Sequence, residues 1–404
     1  MEITSLTPYI HVIHSDIENH PLFEGLWPIP QGVTLNSYIV QGEKTALIDV
    51  TADWEEAVEQ FSRQFAAAGV KPDYLVLNHL EPDHTGHLAA FCREFPDAEI
   101  IATKKGCALV QKFLKVSSIK MREVKNGDTL DLGDKKLAFY EIPNVHWPET
   151  MVSFEEESGT LFSCDAFGGY GRTGARIFDD EFSAEEHERF EAECLRYYAT
   201  IVSSFSSFVN KAIDKLAPLA ITAIAPSHGM VWRTHPERII ERYRKYAGYN
   251  TGGALEKEIV VLSASMYGNT TKGLDAVLRG IKAADASLPV TVLPVPLTDS
   301  SEVLAAAYRA KGLVIAAPTY EYRLFPAMAQ LLDLFGRKHV TGKKALRLGS
   351  WGWIGGAKKE YDALVEPLKW EQVESYEWQG VPSDADLAAL EAKGAELASL
   401  VTGE

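Results

Sequence analysis

The sequence is poor in cysteine and has neither a long apolar run nor a basic N-terminus. Four cysteines among 404 residues form no Cys-X-X-Cys pair and are too few for a disulfide scaffold, so we expect free thiols in a reducing compartment. No run of about 18 apolar residues is present, which argues against a membrane span. Because the N-terminus has no basic segment followed by an apolar one, a secretory signal is not expected, and we predict a cytoplasmic protein.

The chain also lacks an excess of basic residues. With 40 Lys and Arg against 56 Asp and Glu, the net charge is -16, which argues against nucleic acid as a partner. The acidity is uneven: residues 257–404 hold 16 basic and 18 acidic side chains, whereas residues 1–256 hold 24 and 38. This shift, together with the length, predicts two domains, at residues 1–250 and 256–404.

Short strand-like runs dominate the first domain. They lie at residues 9–13, 37–40, 45–49, 74–77 and 219–224, and the stretch 119–165 is also rich in strand signals. Apolar residues at three- and four-residue steps predict a helix over 54–68, with Gly69 as its C-cap. Further helices are predicted within 183–216 and over 232–247, followed by a linker at 247–253. This order indicates a sandwich of sheets with helices outside.

Strands and helices alternate in the second domain. Near-continuous apolar runs predict strands at 259–262, 290–293, 313–317 and 345–349, separated by helices at 273–284, 302–310 and 326–334. Apolar strands between helices indicate a parallel sheet that is covered on both faces.

Metal-binding side chains cluster after the strand of residues 74–77. His79, Glu81, Asp83 and His84 lie within six positions, and three more candidates end or follow later apolar stretches: His146, Asp165 and His228. Imidazole together with carboxylate favours a first-row transition metal. A polar loop that binds no metal is the alternative for the first four.

These segments resemble those of the flavodiiron proteins. The stretch 79–84 is similar to the HxHxDH loop of the metallo-β-lactamase superfamily, with Glu81 in place of a histidine, and the resemblance continues through 146–151, 164–168 and 227–229. It implies an α/β protein: an N-terminal metallo-β-lactamase-like αββα sandwich and a C-terminal flavodoxin-like, doubly wound parallel sheet.

The resemblance also implies a ligand set for two irons. His79, Glu81 and His146 would hold one iron and Asp83 and His228 the other, with Asp165 as the bridge. His84 matches the remaining histidine of the family, which in some members turns away from the metal, and we expect it to be a ligand here. All seven are also the expected catalytic residues.

Three loops of the second domain leave the carboxyl ends of predicted strands, where parallel sheets bind ligands. Hydroxyl and amide groups at a helix N-terminus suit a phosphate, and aromatic rings can stack on a flavin. Alone, the first loop could be a plain helix cap; together, the loops resemble those that bind FMN in flavodoxin-like domains. The expected FMN contacts are Ser263, Ser265, Met266, Tyr267, Gly268, Asn269, Thr270, Pro318, Thr319, Tyr320, Glu321, Tyr322, Ser350, Trp351, Gly352, Trp353 and Gly355.

The activity that the resemblance implies is reduction of dioxygen to water, of nitric oxide to nitrous oxide, or of both. Electrons would pass through FMN from an external donor such as rubredoxin or a reduced deazaflavin coenzyme, because the chain has no Cys pair for a rubredoxin domain of its own. A head-to-tail homodimer is also implied. The sequence does not rank the two gases or identify the donor.

Other functions stay open on the sequence alone. A metallo-β-lactamase-type hydrolase fused to a flavodoxin-like domain is one alternative, which Glu81 disfavours, and an electron carrier with a vestigial metal site is another. The basic run 336–344 is either a solvated loop or a docking patch for an acidic electron carrier, in which Lys343 and Lys344 would take part.

Overall fold

The computed structural model describes residues 4–20, 22–114 and 119–403. The chain divides into two compact units, Met1–Arg244 and Lys245–Glu404, which we call unit 1 and unit 2. Among the described residues, no helix combines the length and the apolar character that a bilayer crossing requires.

Unit 1 contains two main sheets. Its strands are β1 (Thr4–Thr7), β2 (Ile10–Ile17), β3 (Leu22–Phe23), β4 (Trp27–Pro28), β5 (Val33–Gln41), β6 (Thr45–Ile48), β7 (Tyr74–Val76), β8 (Glu99–Thr103), β9 (Met121–Val124), β10 (Thr129–Asp131), β11 (Lys136–Glu141), β12 (Met151–Glu155), β13 (Thr160–Cys164) and β14 (Ala223–Pro226). One sheet has the order β1-β2-β5-β6-β7-β8-β9, and the other runs from β10 to β14 in sequence order. The strands β3 and β4 form a separate hairpin.

Helices complete the sandwich. They are α1 (Glu55–Ala68), α2 (Pro82–Thr85), α3 (Leu88–Glu94), α4 (Lys104–Leu114), α5 (Ala184–Tyr197), α6 (Ser206–Leu216) and α7 (Pro236–Thr251). Between the sheets, Tyr38 on one side packs with Phe139 and Phe162 on the other. On the outer face of the larger sheet, Phe61 and Phe91 join a second cluster that covers the strands. The predicted sandwich with helices outside is therefore confirmed.

Unit 2 is a five-stranded parallel sheet. Its strands are β15 (Glu256–Ser263), β16 (Val290–Pro294), β17 (Ala310–Ala316), β20 (Lys344–Trp351) and β21 (Glu371–Gln379), and a small hairpin adds β18 (Thr319–Tyr320) and β19 (Arg323–Leu324). The helices are α8 (Asn269–Ala284), α9 (Ser300–Arg309), α10 (Pro326–Arg337), α11 (Ala357–Val365) and α12 (Asp384–Thr402). The strand order is β16-β15-β17-β20-β21, so the order reverses beside β15. A doubly wound sheet of this order binds its ligand where the order reverses, at the carboxyl ends of the strands.

The predicted linker at 247–253 is wrong over most of its length. The helix α7 continues to Thr251, and Gly252 then takes a positive φ of 95°. Ala247 and Tyr249 are buried, so packing keeps this segment helical despite Gly248, which in the sequence reads as a break. Beyond residue 349 lie β21, α11 and α12, which were not predicted from the sequence.

Candidate metal centre

The seven predicted ligands come together in unit 1. The first four lie on the loop after β7 and on α2, the next lies in the loop between β11 and β12, and the last two follow β13 and β14. Since β13 and β14 are parallel neighbours, their carboxyl ends meet at the same edge. The seven are His79, Glu81, Asp83, His84, His146, Asp165 and His228.

Asp165 lies between two groups of imidazoles. Its Oδ2 is 3.3 Å from Nε2 of both His79 and His146. Its Oδ1 is 2.9 Å from Nε2 of His84 and 3.2 Å from Nε2 of His228. A buried carboxylate that offers one oxygen to each of two nitrogen-rich half-sites is arranged to bridge two cations.

Glu81 provides a second carboxylate for the first half-site. Its Oε2 is 2.9 Å from Nε2 of His146 and 3.3 Å from Nε2 of His79. The ligand atoms of these three residues and of Asp165 all lie within 4.8 Å of one another. Two imidazoles and two carboxylates therefore converge on one point.

Asp83 plays the same part in the second half-site. Its Oδ2 is 3.3 Å from Nε2 of His228, and its Oδ1 is 3.4 Å from Nε2 of His84. The ring of His84 therefore faces the centre, and its Nε2 is the atom that is directed at the carboxylates. The orientation of this ring was the point that the sequence left open.

Among the residues that the structure describes, several buried atoms of the cluster have no hydrogen-bond partner. They include both carboxylate oxygens of Asp83, Oδ2 of Asp165 and Nε2 of His228. Buried polar atoms are almost always paired, and an unpaired buried charge is costly. Two cations held by nitrogen and oxygen ligands would satisfy these atoms, so the residues present fit a pair of transition-metal ions.

The electrostatics of the cluster favour added positive charge. Burial alone would lower the pKa of His228, but Asp165 and Asp83 outweigh it and raise that pKa to about 10. Burial would raise the pKa of Glu81, whereas His146 and His79 hold it at about 2. The carboxylate of Glu81 is thus ionised and stabilises a cation beside it, whether a proton or a metal ion.

Two supporting contacts, neither of which was predicted from the sequence, orient the imidazoles. Nδ1 of His79 is 2.8 Å from Oε1 of the buried Glu149, and Nδ1 of His228 is 2.8 Å from the carbonyl oxygen of Thr34. Each contact leaves Nε2 free to face the centre, which is how outer partners fix metal-binding histidines. Glu149 lies in a recognised segment, but Thr34 is distant in sequence and carried no signal.

The three loops predicted to bind a flavin also come together, in unit 2. In the first loop the backbone N–H of Gly268, which has a φ of 86°, donates to Oγ of Ser265 at 3.0 Å. The hydroxyl of Thr270 at the start of α8 lies 2.9 Å from that of Ser350 in the third loop. The three loops carry four exposed aromatic side chains: Tyr267, Tyr320, Tyr322 and Trp353.

Comparison with known proteins identifies the family. A family model described as "ODP family beta lactamase" matches residues 33–229. The anaerobic nitric oxide reductase flavorubredoxin of Vibrio vulnificus (strain YJ016) is 32% identical over 380 residues, which are 93% of this chain and 75% of that protein. The flavorubredoxin of Salmonella arizonae is 34% identical over 367 residues, covering 89% and 74% of the two chains. The chain belongs to the flavodiiron protein family.

Solved structures of the same family share the fold of the whole chain. The rubredoxin oxygen:oxidoreductase of Desulfovibrio gigas superposes with a TM-score of 0.91 at 25% identity and covers 100% of this chain and 99% of its own. A flavoprotein of Thermotoga maritima gives 0.87 at 27% identity, covering 100% and 97%. The predicted metallo-β-lactamase-like and flavodoxin-like folds are confirmed. The names of these relatives are those of oxidoreductases, which does not favour the hydrolase alternative.

In this flavodiiron protein neither alternative for the basic run 336–344, a solvated loop or a docking patch, describes Lys343. Lys343 is 1% exposed, and its Nζ donates to the carbonyl oxygen of Tyr308 at 2.7 Å. Lys344 forms an ion pair with Glu371. The prediction is wrong for Lys343, because a lysine that looks solvated in the sequence is drawn into the unit by a buried acceptor.

Proposed function

We propose that this chain is an oxidoreductase that reduces dioxygen to water, nitric oxide to nitrous oxide, or both, with electrons that pass through FMN from an external donor. The observation that carries the proposal is Asp165, whose two oxygens face two separate groups of imidazoles. Glu81 disfavours the hydrolase alternative, because it places a carboxylate in the first half-site where hydrolytic relatives usually keep a histidine. Membership of the flavodiiron family supports the same function.

In the proposed site, the seven side chains divide between two irons. His79, Glu81 and His146 would hold one iron, and Asp83, His84 and His228 the other, with Asp165 shared between them. When bound, the irons would take up the gas and deliver electrons to it, and FMN would store those electrons. The carboxylates would offset the positive charge of the metals, while Glu149 and Thr34 would hold two of the rings in their ligating tautomer.

The three loops of unit 2 would hold FMN. Backbone N–H groups and hydroxyls at the N-terminus of α8 suit its phosphate, and the aromatic residues of the second and third loops suit its ring. The rings of Tyr322 and Trp353 meet edge to face, with centroids 6.3 Å apart, at the carboxyl ends of the strands. The remaining residues that we predict as FMN contacts lie on the same loops.

We further propose a head-to-tail homodimer that works in the cytoplasm. A cavity of about 570 Å³ reaches the metal cluster in unit 1, where Glu81 and Asp83 line it together with Trp54. In unit 2, Tyr267 is 91% and Trp353 is 73% exposed. A dimer that places the loops of one chain over the cavity of the other would cover both surfaces. The donor would be rubredoxin or a reduced deazaflavin coenzyme, and neither nucleic acid nor a membrane takes part.

The deciding experiment is performed on the anaerobically purified protein. Iron and FMN are counted per chain, the protein is fully reduced, and flavin reoxidation is followed after addition of dioxygen or nitric oxide. We expect two irons and one FMN, and a reoxidation that is at least about 100-fold slower in His146→Ala and Asp165→Ala, since even outer partners of metal ligands act on this scale. The gas that reacts faster names the preferred substrate.

The matched control is His87→Ala. This histidine lies one turn beyond His84 but outside the metal cluster, where its ring contacts Phe61. Its replacement is expected to leave iron content and reoxidation unchanged. Zinc in place of iron, or reoxidation that does not depend on His146 and Asp165, would exclude the proposed function and favour a hydrolase or a carrier.

A further inference from the structure

A buried polar chain connects the two loops that follow β13 and β14. Its centre is Asn36 on β5, which is 2% exposed. The side-chain Nδ2 of Asn36 donates to the carbonyl oxygens of Pro226 and Gly229, both at 3.1 Å. These two residues flank His228, so the amide holds the backbone on both sides of a predicted ligand.

The direction of the hydrogen bond between Asn36 and His14 can be assigned. Because Nδ2 of Asn36 faces two carbonyl oxygens, its Oδ1 must be the acceptor for Nδ1 of His14, which lies 2.7 Å away. Nδ1 of His14 therefore carries a proton. On the other side of the ring, Nε2 lies 3.2 Å from the hydroxyl of Thr173 and 3.1 Å from the carbonyl oxygen of Gly174.

The far end of the chain lies on the other ligand loop. Thr173 belongs to the segment that follows Asp165, and the polar chain therefore runs from this segment through β2 and β5 to the loop of His228. Two further hydrogen bonds connect β5 to the loop of His228. The backbone N–H of Asn36 donates to the carbonyl oxygen of Ser227 at 2.8 Å, and the N–H of Gly229 donates to the hydroxyl of Thr34.

The charged groups around His14 do not break this chain. Asp16 is the charged neighbour of the ring, with Oδ1 at 3.9 Å from Nε2, and Asp16 itself pairs with Arg172. The opposite side of β2 is held by Gln64 of α1, whose amide bonds to the backbone N–H and carbonyl of His14 rather than to its ring. The ring thus contacts Asn36 at one nitrogen and Thr173 and Gly174 at the other.

We propose that Asn36 and His14 are positioning residues that fix His228, and through it the second of the two iron sites. The inference rests on the proposed function, since it concerns the metal that His228 would hold. Neither side chain touches the cluster. Their effect would be to keep Nε2 of His228 directed at Asp83 and Asp165, because a ligand loop without this support can rotate the imidazole away from the metal.

The test uses the full-length protein loaded with iron and FMN. In Asn36→Leu, we expect a ferrous chelator to remove one of the two irons about 10- to 100-fold faster than in the parent, while the other iron and the FMN are retained. Mössbauer spectra should show a change at one iron only. His14→Leu should act in the same direction, and the double variant should release iron no faster than Asn36→Leu, since both residues act through one chain.

Gln64→Leu is the matched control, because it removes an amide that bonds to the same strand on its other side. It should leave the release rate and the spectra unchanged. The inference would be overturned if Asn36→Leu released iron at the rate of the parent, or if Gln64→Leu released it as fast as Asn36→Leu. Either result would leave the proposed function intact. A parent protein that binds no iron would overturn both.

Discussion

At the residue scale, the site depends on charged side chains that are buried next to one another. Asp165 and the imidazoles around it are almost fully excluded from water, and burial penalises every charge that lacks a partner. Ligand positions must therefore be held by neutral or oppositely charged neighbours. Glu149 is one such neighbour. Its Oε1 accepts hydrogen bonds from Nδ1 of His79 and from the backbone N–H of Leu80.

Replacing Glu149 should weaken iron binding at the first site although none of the predicted ligands is substituted. In Glu149→Gln the side chain keeps its shape but loses its negative charge, so His79 becomes a weaker ligand. We expect iron affinity to fall about 10- to 100-fold, measured by competition with a chelator. Glu156→Gln, at an exposed position, is the control. An unchanged affinity in Glu149→Gln would mean that the carboxylate does not orient His79.

Lys343 should make the stability of the protein depend on pH. Burial lowers the pKa of its amine to about 7, whereas an unfolded chain would keep it near 10.5. Between these values the unfolded state binds the extra proton, so the free energy of unfolding should rise with pH by up to about 1.4 kcal/mol per unit and level off above the higher value. Below about pH 7 both states are protonated, and the destabilisation is fully present.

The measurement is the thermal midpoint of parent and Lys343→Met from pH 6 to 10. We expect the thermal midpoint of the parent to rise relative to that of Lys343→Met as the pH increases above about 7. Lys358→Met removes a half-exposed lysine and should show no such trend relative to the parent. A difference between parent and Lys343→Met that stays constant with pH would contradict the predicted titration.

At the element scale, the sequence predicted most of the strands and helices, because their apolar periods match the faces that the fold buries. The strand run 259–262 lies within β15, and the helix run 54–68 coincides with α1. The ligands were predictable for a related reason, since polar groups directly after apolar strands meet at a sheet edge. The role of Asn36 was not predictable, because the carbonyl group of Pro226 to which it donates lies 190 residues away and nothing local distinguishes it from any polar residue in a strand.

The loops after β17 and β20 approach each other at one glycine. Gly356 has a φ of 139°, and a Cβ on it would lie 2.2 Å from the carbonyl oxygen of Tyr322. Gly356→Ala should therefore push apart the second and third predicted FMN loops. Backbone strain of this kind costs about 1–3 kcal/mol, which corresponds to a loss of FMN affinity of roughly 5- to 150-fold.

Gly336, in the last turn of α10, offers the control, since it is not among the predicted FMN contacts. A Cβ there would meet nothing within 4 Å, and its φ is not positive. FMN affinity is measured from the quenching of flavin fluorescence when the FMN-free chain is titrated. Equal affinities for Gly356→Ala and Gly336→Ala would show that the approach of the two loops does not matter for the flavin.

At the scale of the whole molecule, the two units contribute different parts of the proposed reaction. The metal cluster is formed by unit 1 alone and the three loops by unit 2 alone. The proposed pathway for electrons therefore has to cross from one unit to another, either within a chain or between the two chains of a dimer. Transfer within a chain and transfer between chains can be distinguished by combining a variant that lacks iron with a variant that lacks FMN in one dimer.

Mixed dimers should be active if electrons cross between chains. Asp165→Ala disables the iron site and Gly356→Val the FMN site, so neither homodimer should reduce the gas. When the two variants are coexpressed with different tags and the mixed dimer is purified, the intact FMN of one chain faces the intact iron site of the other in a head-to-tail arrangement. One of the two pairs then works, and we expect about half of the parental rate. In a dimer that transfers electrons within each chain, no intact pair remains, and an inactive mixed dimer would exclude the head-to-tail proposal.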